Sequence, residues 1–263
     1  MVEVIGGIRE RWHALGGEGG WLGHPVSGER DFVDGGRVSD FQHGAIYWWP
    51  DTGAIEVGDV VVRYRGMSCV AETDEPRHSD QPSHSDEPYA VVGVLGFDGQ
   101  KPTFRTRIHE NTGGDGCFPD PGAEVFRGRP WGLDLSVTFM EHDEGDPNAY
   151  RDKVHQAVSL AADRAKPVLE AALASTGFLA PLAVAVGPVL DAALPDIVGG
   201  IDDLLGTADD TLGTQPIRLG PKQLITSVVA PHQRERDLHF HVASPLVSGG
   251  AASYQAYFDV VRA

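Results

Sequence analysis

From Leu133 to Phe139 every second residue is large and apolar (Leu133, Leu135, Val137, Phe139), while Asp134, Ser136 and Thr138 fall between them. A period of two puts the apolar set on one face of an extended chain, so this run specifies a half-buried strand and cannot sit still as a helix. The same strand runs out into acids, with Glu141, Asp143, Glu144 and Asp146 in "MEHDEGD" at 140–146. A second strand-like run, "PYAVVGV" at 88–94, is approached through Asp86 and Glu87. "DVVVRYRGMSCVAETDE" at 59–75 reads as a strand leading to Glu72, Asp74 and Glu75, and "ADDTLGTQPIRLG" at 208–220 puts Asp209 and Asp210 just before another strand. The closing "SYQAYFDVVRA" alternates Tyr254, Ala256, Phe258 and Val260 on one face. The chain is therefore expected to be mainly β, with its acids gathered in the loops.

The 38 acids against 21 Lys and Arg give a formal charge of −17. That balance repels nucleic-acid phosphates and excludes nucleic acid as the expected partner. A bound cation would relieve the repulsion within the loops. With 41% hydrophobic residues over 263 positions, the chain can bury a substantial core. The first 17 residues hold neither a basic n-region nor an apolar h-region, so no secretory signal is visible in them. Two cysteines, Cys69 and Cys117, allow one disulfide at most and are expected to form it only in an exported protein.

The front of the chain differs in composition. Four of the five tryptophans (Trp12, Trp21, Trp48, Trp49) lie in the first 60 residues, among Gly-Gly, Asp-Gly and Thr-Gly turn signals that separate short apolar pieces. The shared pieces Trp12, "LGG" at 15–17, "LGHP" at 22–25, Glu29, Asp34–Gly35, "FQHGAIYW" at 41–48 and "TGA" at 52–54 make residues 8–57 resemble one LGFP repeat, a cell-wall-associated module common in actinobacteria. The resemblance implies a small module at 1–60, an extracellular or envelope-associated location, and cell-wall polysaccharide as a partner. Trp21, Tyr47 and Trp49 flank turns and are the expected exposed platform for sugar rings.

The order of acidic segments behind it is similar to that of the C2 domain, a calcium-dependent membrane-binding β-sandwich. "SDEPY" at 85–89, "MEHD" at 140–143 and "DDTLG" at 209–213 stand where that family carries its metal-binding acids. The resemblance implies a C2-like antiparallel β-sandwich at 61–263, calcium as cofactor, and Asp74, Asp86, Glu141, Asp143 and Asp210 as ligands, with Glu87, Asp146 and Asp209 in reserve. Calcium suits such a set, since it takes six to eight oxygens from flexible loops. It also brings membrane lipid into view as a second partner.

More than sixty residues separate Asp143 from Asp210, and they carry helical rather than strand periodicity. Val154, Val158, Ala161, Ala165, Val168 and Ala172 form one series; Leu179, Leu182, Val186, Val189, Ala193, Ile197 and Ile201 form another after Gly177. A helical hairpin over 147–207, inserted in an acidic loop of the sandwich, is expected. No charge occurs from Ala171 to Leu190, about the length that crosses a bilayer, although Pro181, Gly187 and Pro188 interrupt it. The hairpin thus offers a surface for packing on the sandwich, for lipid, or for a second copy of the chain.

No G-x-S-x-G elbow, H-E-x-x-H, P-loop or G-x-G-x-x-G pattern occurs. His239 and His241 alternate in "HFH", near His232 in sequence, which is a placement a metal pair requires. The overall expectation is a non-enzymatic, calcium-dependent attachment protein. Its rivals are a membrane-perturbing effector that uses the hairpin and a hydrolase that uses the clustered acids.

Overall fold

A computed structural model of the chain describes residues 2–71, 87–96, 99–109, 116–142, 146–176, 195–201, 203, 211–249 and 252–263. The front of the molecule is a helix on a small antiparallel sheet. Helix α1 (Gly6–Ala14) is followed by β1 (Arg30–Asp31), β2 (Arg37–Phe41), β3 (Gly44–Trp49) and β4 (Gly53–Val57), paired in that order. In β3 the period of two divides the work. Ile46 and Trp48 turn toward α1 and pack with Ile8 and Trp12, whereas Ala45, Tyr47 and Trp49 turn the other way, into the main core of the molecule.

The rest of the chain builds two further sheets. Their strands are β5 (Val60–Ala71), β6 (Pro88–Gly96), β7 (Thr103–Arg105), β8 (Cys117–Gly128), β9 (Leu133–Glu141), β10 (Thr211–Leu219), β11 (Gln233–Glu235), β12 (Leu238–Phe240), β13 (Val242–Ala243), β14 (Val247–Gly249) and β15 (Ala252–Arg262). One sheet has the order β13-β15-β5-β8, with β14 also on β15; the other has the order β10-β9-β6-β7; β11 and β12 form a separate hairpin. Every pairing is antiparallel. Val60, Val62, Tyr64 and Met67 of the first sheet meet Ala90, Val92, Val94, Leu135, Val137 and Phe139 of the second in one apolar core. Phe32, Tyr47 and Trp49 of the front module belong to the same core, so module and sandwich share it.

Strand β6 is buried on both faces. Ala90, Val92 and Val94 point into the sandwich, while Tyr89, Val91 and Leu95 point outward under α2 (Pro147–Thr176). Pro147 opens that helix at a position where its missing N–H costs nothing. Asp146 caps it: its Oδ1 accepts the Asn148 amide at 2.9 Å. Val154, Ala157, Val158 and Ala161 form the buried stripe, and Ile197 and Ile201 from the helical segment 195–201 complete the cluster. Gly93 lets α2 approach, because a Cβ there would lie 2.6 Å from Val158 Cγ2 and 2.6 Å from Ser136 Oγ. The chain is thus mainly β with a helical insertion, as its periodicities predict. Gly177 and the series Leu179, Leu182, Val186, Val189 and Ala193 lie outside the described residues.

One buried ion pair pins the sandwich. Asp134, 1% exposed, receives both Arg218 Nε at 2.8 Å and Arg218 Nη2 at 2.9 Å across the β9–β10 ladder. Burial pushes the Asp134 carboxyl up, and the Arg218 fork opposes that push by stabilising the charge. Neither Cys69 nor Cys117 is in a disulfide. Cys117 stands opposite Ser68 in the β5–β8 ladder, one residue before Cys69. Side chains alternate between faces, so Cys69 enters the main core while Cys117 packs outside with Leu238, Phe240 and Tyr257.

Two outcomes follow from this packing. Arg218→Met strands a buried carboxylate and should cost about 3–5 kcal/mol in urea unfolding, whereas Asp134→Leu combined with Arg218→Met should recover most of that loss. Iodoacetamide on the native chain should modify Cys117 slowly, since burial raises its thiol pKa, and Cys69 only after denaturation. Intact mass should not change on reduction.

Candidate functional site

An open groove of about 960 Å³ lies on the front module, between α1 and the glycine-rich turn that follows it. Arg9, Trp12, His13, Glu18, His24 and Pro25 contribute to its walls. The local sequence explains the shape. In "LGHP", Leu22 is fully buried, Gly23 takes a left-handed φ of +71°, and Pro25 bridges to Phe41. A Cβ at Gly23 would meet Gln42 Oε1 at 2.3 Å, and that oxygen already accepts the His24 amide at 3.0 Å. Trp12 Nε1 donates to Gly23 O at 3.0 Å, which locks the indole against the turn and leaves ring surface rather than a polar edge for contact.

Around the Trp12 ring, Arg9 Nε reaches His13 Nε2 at 3.4 Å and His24 Nδ1 lies 3.5 Å from Glu18 Oε1. An apolar ring surrounded by a guanidinium, imidazoles and a carboxylate can take the C–H face of a sugar at the centre and its hydroxyls at the rim. Trp21, 47% exposed, is the only exposed large aromatic among the described residues. It belongs to the same turn segment, next to Leu22.

The expected platform needs correction at its other two positions. Tyr47 and Trp49 are 2% and 0% exposed. Trp49 donates through Nε1 to Val33 O at 2.9 Å, and Lys222 lies over its ring at 5.6 Å. Tyr47 receives a hydrogen bond from Trp131, and burial raises its phenol pKa well above the ordinary value. The physical reason is area. A ring of this size removes about 150–250 Å² from water, worth roughly 4–6 kcal/mol at about 25 cal/mol per Å², and a module this small needs that burial. Flanking a turn did not distinguish Trp21 from these two; the parity of β3 did, since Ala45, Tyr47 and Trp49 all fall on the face that meets the sandwich.

The acids divide between what the structure describes and what it does not. Asp74, Asp86, Asp143, Asp209 and Asp210 lie outside the described residues. Glu87, Glu141 and Asp146 are described. Pro88 stands opposite Glu141, and the His142 amide donates to Glu87 O at 3.1 Å, so the start of β6 meets the end of β9. Thr211 at the start of β10 pairs with Met140 at that same end. The end of β5 lies there too: Cys69 pairs with Tyr254, whose ring stacks on Phe139 at 5.6 Å. Asp146 caps α2, a role that requires no cation.

Residues 22–68 match the family model described as the LGFP repeat. The match starts later than the resemblance read from the motifs and ends later, running from Leu22 through β1–β4 into β5. The continuation has a packing reason, since Val60, Val62 and Tyr64 of β5 share a core with Tyr47 and Trp49. No curated protein matches the chain. The repeat points to a cell-wall-associated module and to the cell envelope. No helix among the described residues is long and apolar enough to cross a membrane.

The wall of the groove formed by α1 is anchored by Glu56, whose Oε2 accepts Arg11 Nε at 2.6 Å and whose Oε1 accepts Arg262 Nη2 at 3.0 Å. Burial pushes this carboxyl up, but Arg11, the Glu56 backbone amide and Arg262 outweigh burial and hold its pKa below the ordinary carboxylate value. A depressed folded-state pKa contributes stability that is present above the unfolded value, about 4.3, and is lost as pH falls through the folded one. Glu56→Gln should therefore lower Tm at neutral pH and flatten the loss of Tm between about pH 5 and pH 3, as followed by circular dichroism.

Proposed function

We propose that the chain is a non-enzymatic attachment protein that holds envelope glycan in the groove of its front repeat. The observation that carries this reading is the contrast among its aromatics: Tyr47 and Trp49 are closed to solvent in the core, whereas Trp21 is 47% exposed on the turn segment whose Gly19 and His24 line a groove walled by Trp12. The repeat supports an envelope setting, and the polar rim supports a hydroxyl-rich ligand. The formal charge of −17 favours a neutral or cation-bridged surface over a polyanion.

A second contact, governed by calcium, is supported by the meeting of four strand ends. The chain leaves β5 at Ala71, re-enters at Pro88, leaves β9 at Glu141 and re-enters at Thr211, all at one end of the sandwich. Asp74, Asp86, Asp143, Asp209 and Asp210 are within three positions of those ends in sequence. In this reading calcium neutralises their mutual repulsion and lets that end approach wall polymer or a lipid surface.

The test is retention of the full chain on purified cell-wall polysaccharide. Trp21→Ala and, in the groove itself, His24→Ala should each reduce retention about tenfold with an unchanged circular dichroism spectrum; equal retention of the first would remove Trp21 from the reading, and equal retention of the second would remove the groove. Saturating calcium at about a hundred times its dissociation constant should add roughly 2.7 kcal/mol of stability. A melting curve indifferent to both calcium and chelator would remove the calcium-governed contact.

A further inference from the structure

On the β11–β12 hairpin side of the sandwich, two histidines and an aspartate converge. The ligand-capable atoms of His232, His241 and Asp259 all lie within 4.8 Å of one another. His241 Nδ1 is 2.6 Å from Asp259 Oδ1, and His232 Nε2 is 3.0 Å from the same oxygen. The two imidazoles stack with centroids 4.2 Å apart and planes 22° from parallel. Asp259 sits on β15, held in the sheet opposite Arg63 of β5, and the His241 amide donates to Phe258 O at 2.9 Å. These are rigid supports. Asp259 is 7% exposed, whereas the His232 side chain is 42% exposed, so the cluster opens to solvent on the His232 side.

The hydrogen-bond inventory of His241 is the informative part. Its Nε2 lies 3.2 Å from Ala230 O, which can only accept, so Nε2 carries a proton. Its Nδ1 faces the Val260 amide at 3.2 Å, which can only donate, so Nδ1 presents a lone pair. That lone pair also confronts a carboxylate oxygen at 2.6 Å. Two acceptors at this distance repel unless a proton or a metal ion joins them.

We propose that His232, His241 and Asp259 form a binding site for a first-row divalent transition ion of the zinc type. Two imidazole nitrogens and one carboxylate oxygen are a donor set for such an ion, and bonds of about 2.0–2.2 Å would place the ligand atoms about 3.4 Å apart, so each nitrogen would move outward from Asp259 Oδ1, now 2.6 and 3.0 Å away. Ala230 O supplies the outer-shell contact that fixes the His241 tautomer with Nδ1 toward the metal. The exposed side leaves a position for water. The site is distinct from the acidic end in chemistry, because calcium prefers oxygen donors in larger number. It is also distinct in place, because Asp259 lies toward the other end of β15 from Tyr254. Sequence spacing suggests His239 as the partner of His241, but His239 has its ring 6.5 Å from that of His232 and is outside the ligand cluster.

Calorimetric titration of the metal-stripped full chain with zinc chloride tests the site. The expected result is one saturable zinc per chain, weakened about tenfold or more by His232→Ala and by Asp259→Asn and unchanged by His239→Ala. His232→Ala keeps the measurement decisive should Asp259→Asn misfold, since His232 is exposed. Calcium in excess should leave zinc binding intact. Absence of zinc uptake, equal uptake by His232→Ala, or displacement of zinc by calcium would each overturn the proposal.

Discussion

The double burial of β6 is the constraint on which the rest of the architecture depends. A strand with Ala90, Val92 and Val94 on one face and Tyr89, Val91 and Leu95 on the other cannot sit at the surface of a two-layer sandwich. Something apolar has to cover the outer face, and α2 does so with Val154, Ala157, Val158 and Ala161. The helical insertion is thus a third layer. Gly93 sets its distance from the sheet, and the Asp146 cap fixes where it starts, shortly beyond the end of β9.

The front module obeys the same logic on a smaller scale. Its sheet is too small to bury two aromatic faces against itself, so it places one face under α1 and the other on the sandwich. The second face carries Tyr47 and Trp49, which makes them part of the interface that holds the molecule together. Glu56 reinforces the arrangement by tying Arg11, near the start of the chain, to Arg262 at its end. Among the described residues of the module, the turn segment that carries Trp21 and lines the groove with Gly19 and His24 stays open to an external ligand, and it is built on left-handed Gly23.

Charge follows the same rule of burial with a partner. The buried carboxylates Asp134, Glu56 and Asp259 each have a cationic or imidazole partner within 3.0 Å, as the cost of burying an unpaired charge requires. Other acids crowd the sequence beside the strand ends that meet at one end of the sandwich. The two proposed metal sites differ in the same sense: oxygen-rich segments for a hard cation at that end, and a nitrogen-rich cluster on rigid strands for a softer one elsewhere.

How much was legible in the sequence depended on the range of the interaction. Period two in Leu133–Phe139 and Tyr254–Val260, period 3.6 from Val154 to Ala161, and the ordered motifs of the repeat are local, and they determined strands, helix and module without reference to distant residues, although the strand expected to be half-buried at Leu133–Phe139 is covered on both faces, Asp134, Ser136 and Thr138 included. Which face of a strand meets which layer is not local. The exposure of Trp21 against the burial of Tyr47 and Trp49 follows from docking the module on the sandwich. The separation of Cys69 from Cys117 follows from the β5–β8 register. The pairing of His241 with Asp259 rather than His239 follows from β13 and β15 lying side by side in the sheet, which brings together side chains 18 positions apart in sequence. Alternation along a strand states that two residues share a face; only the tertiary structure decides what that face touches, because burial free energy belongs to the assembled layers and not to the strand.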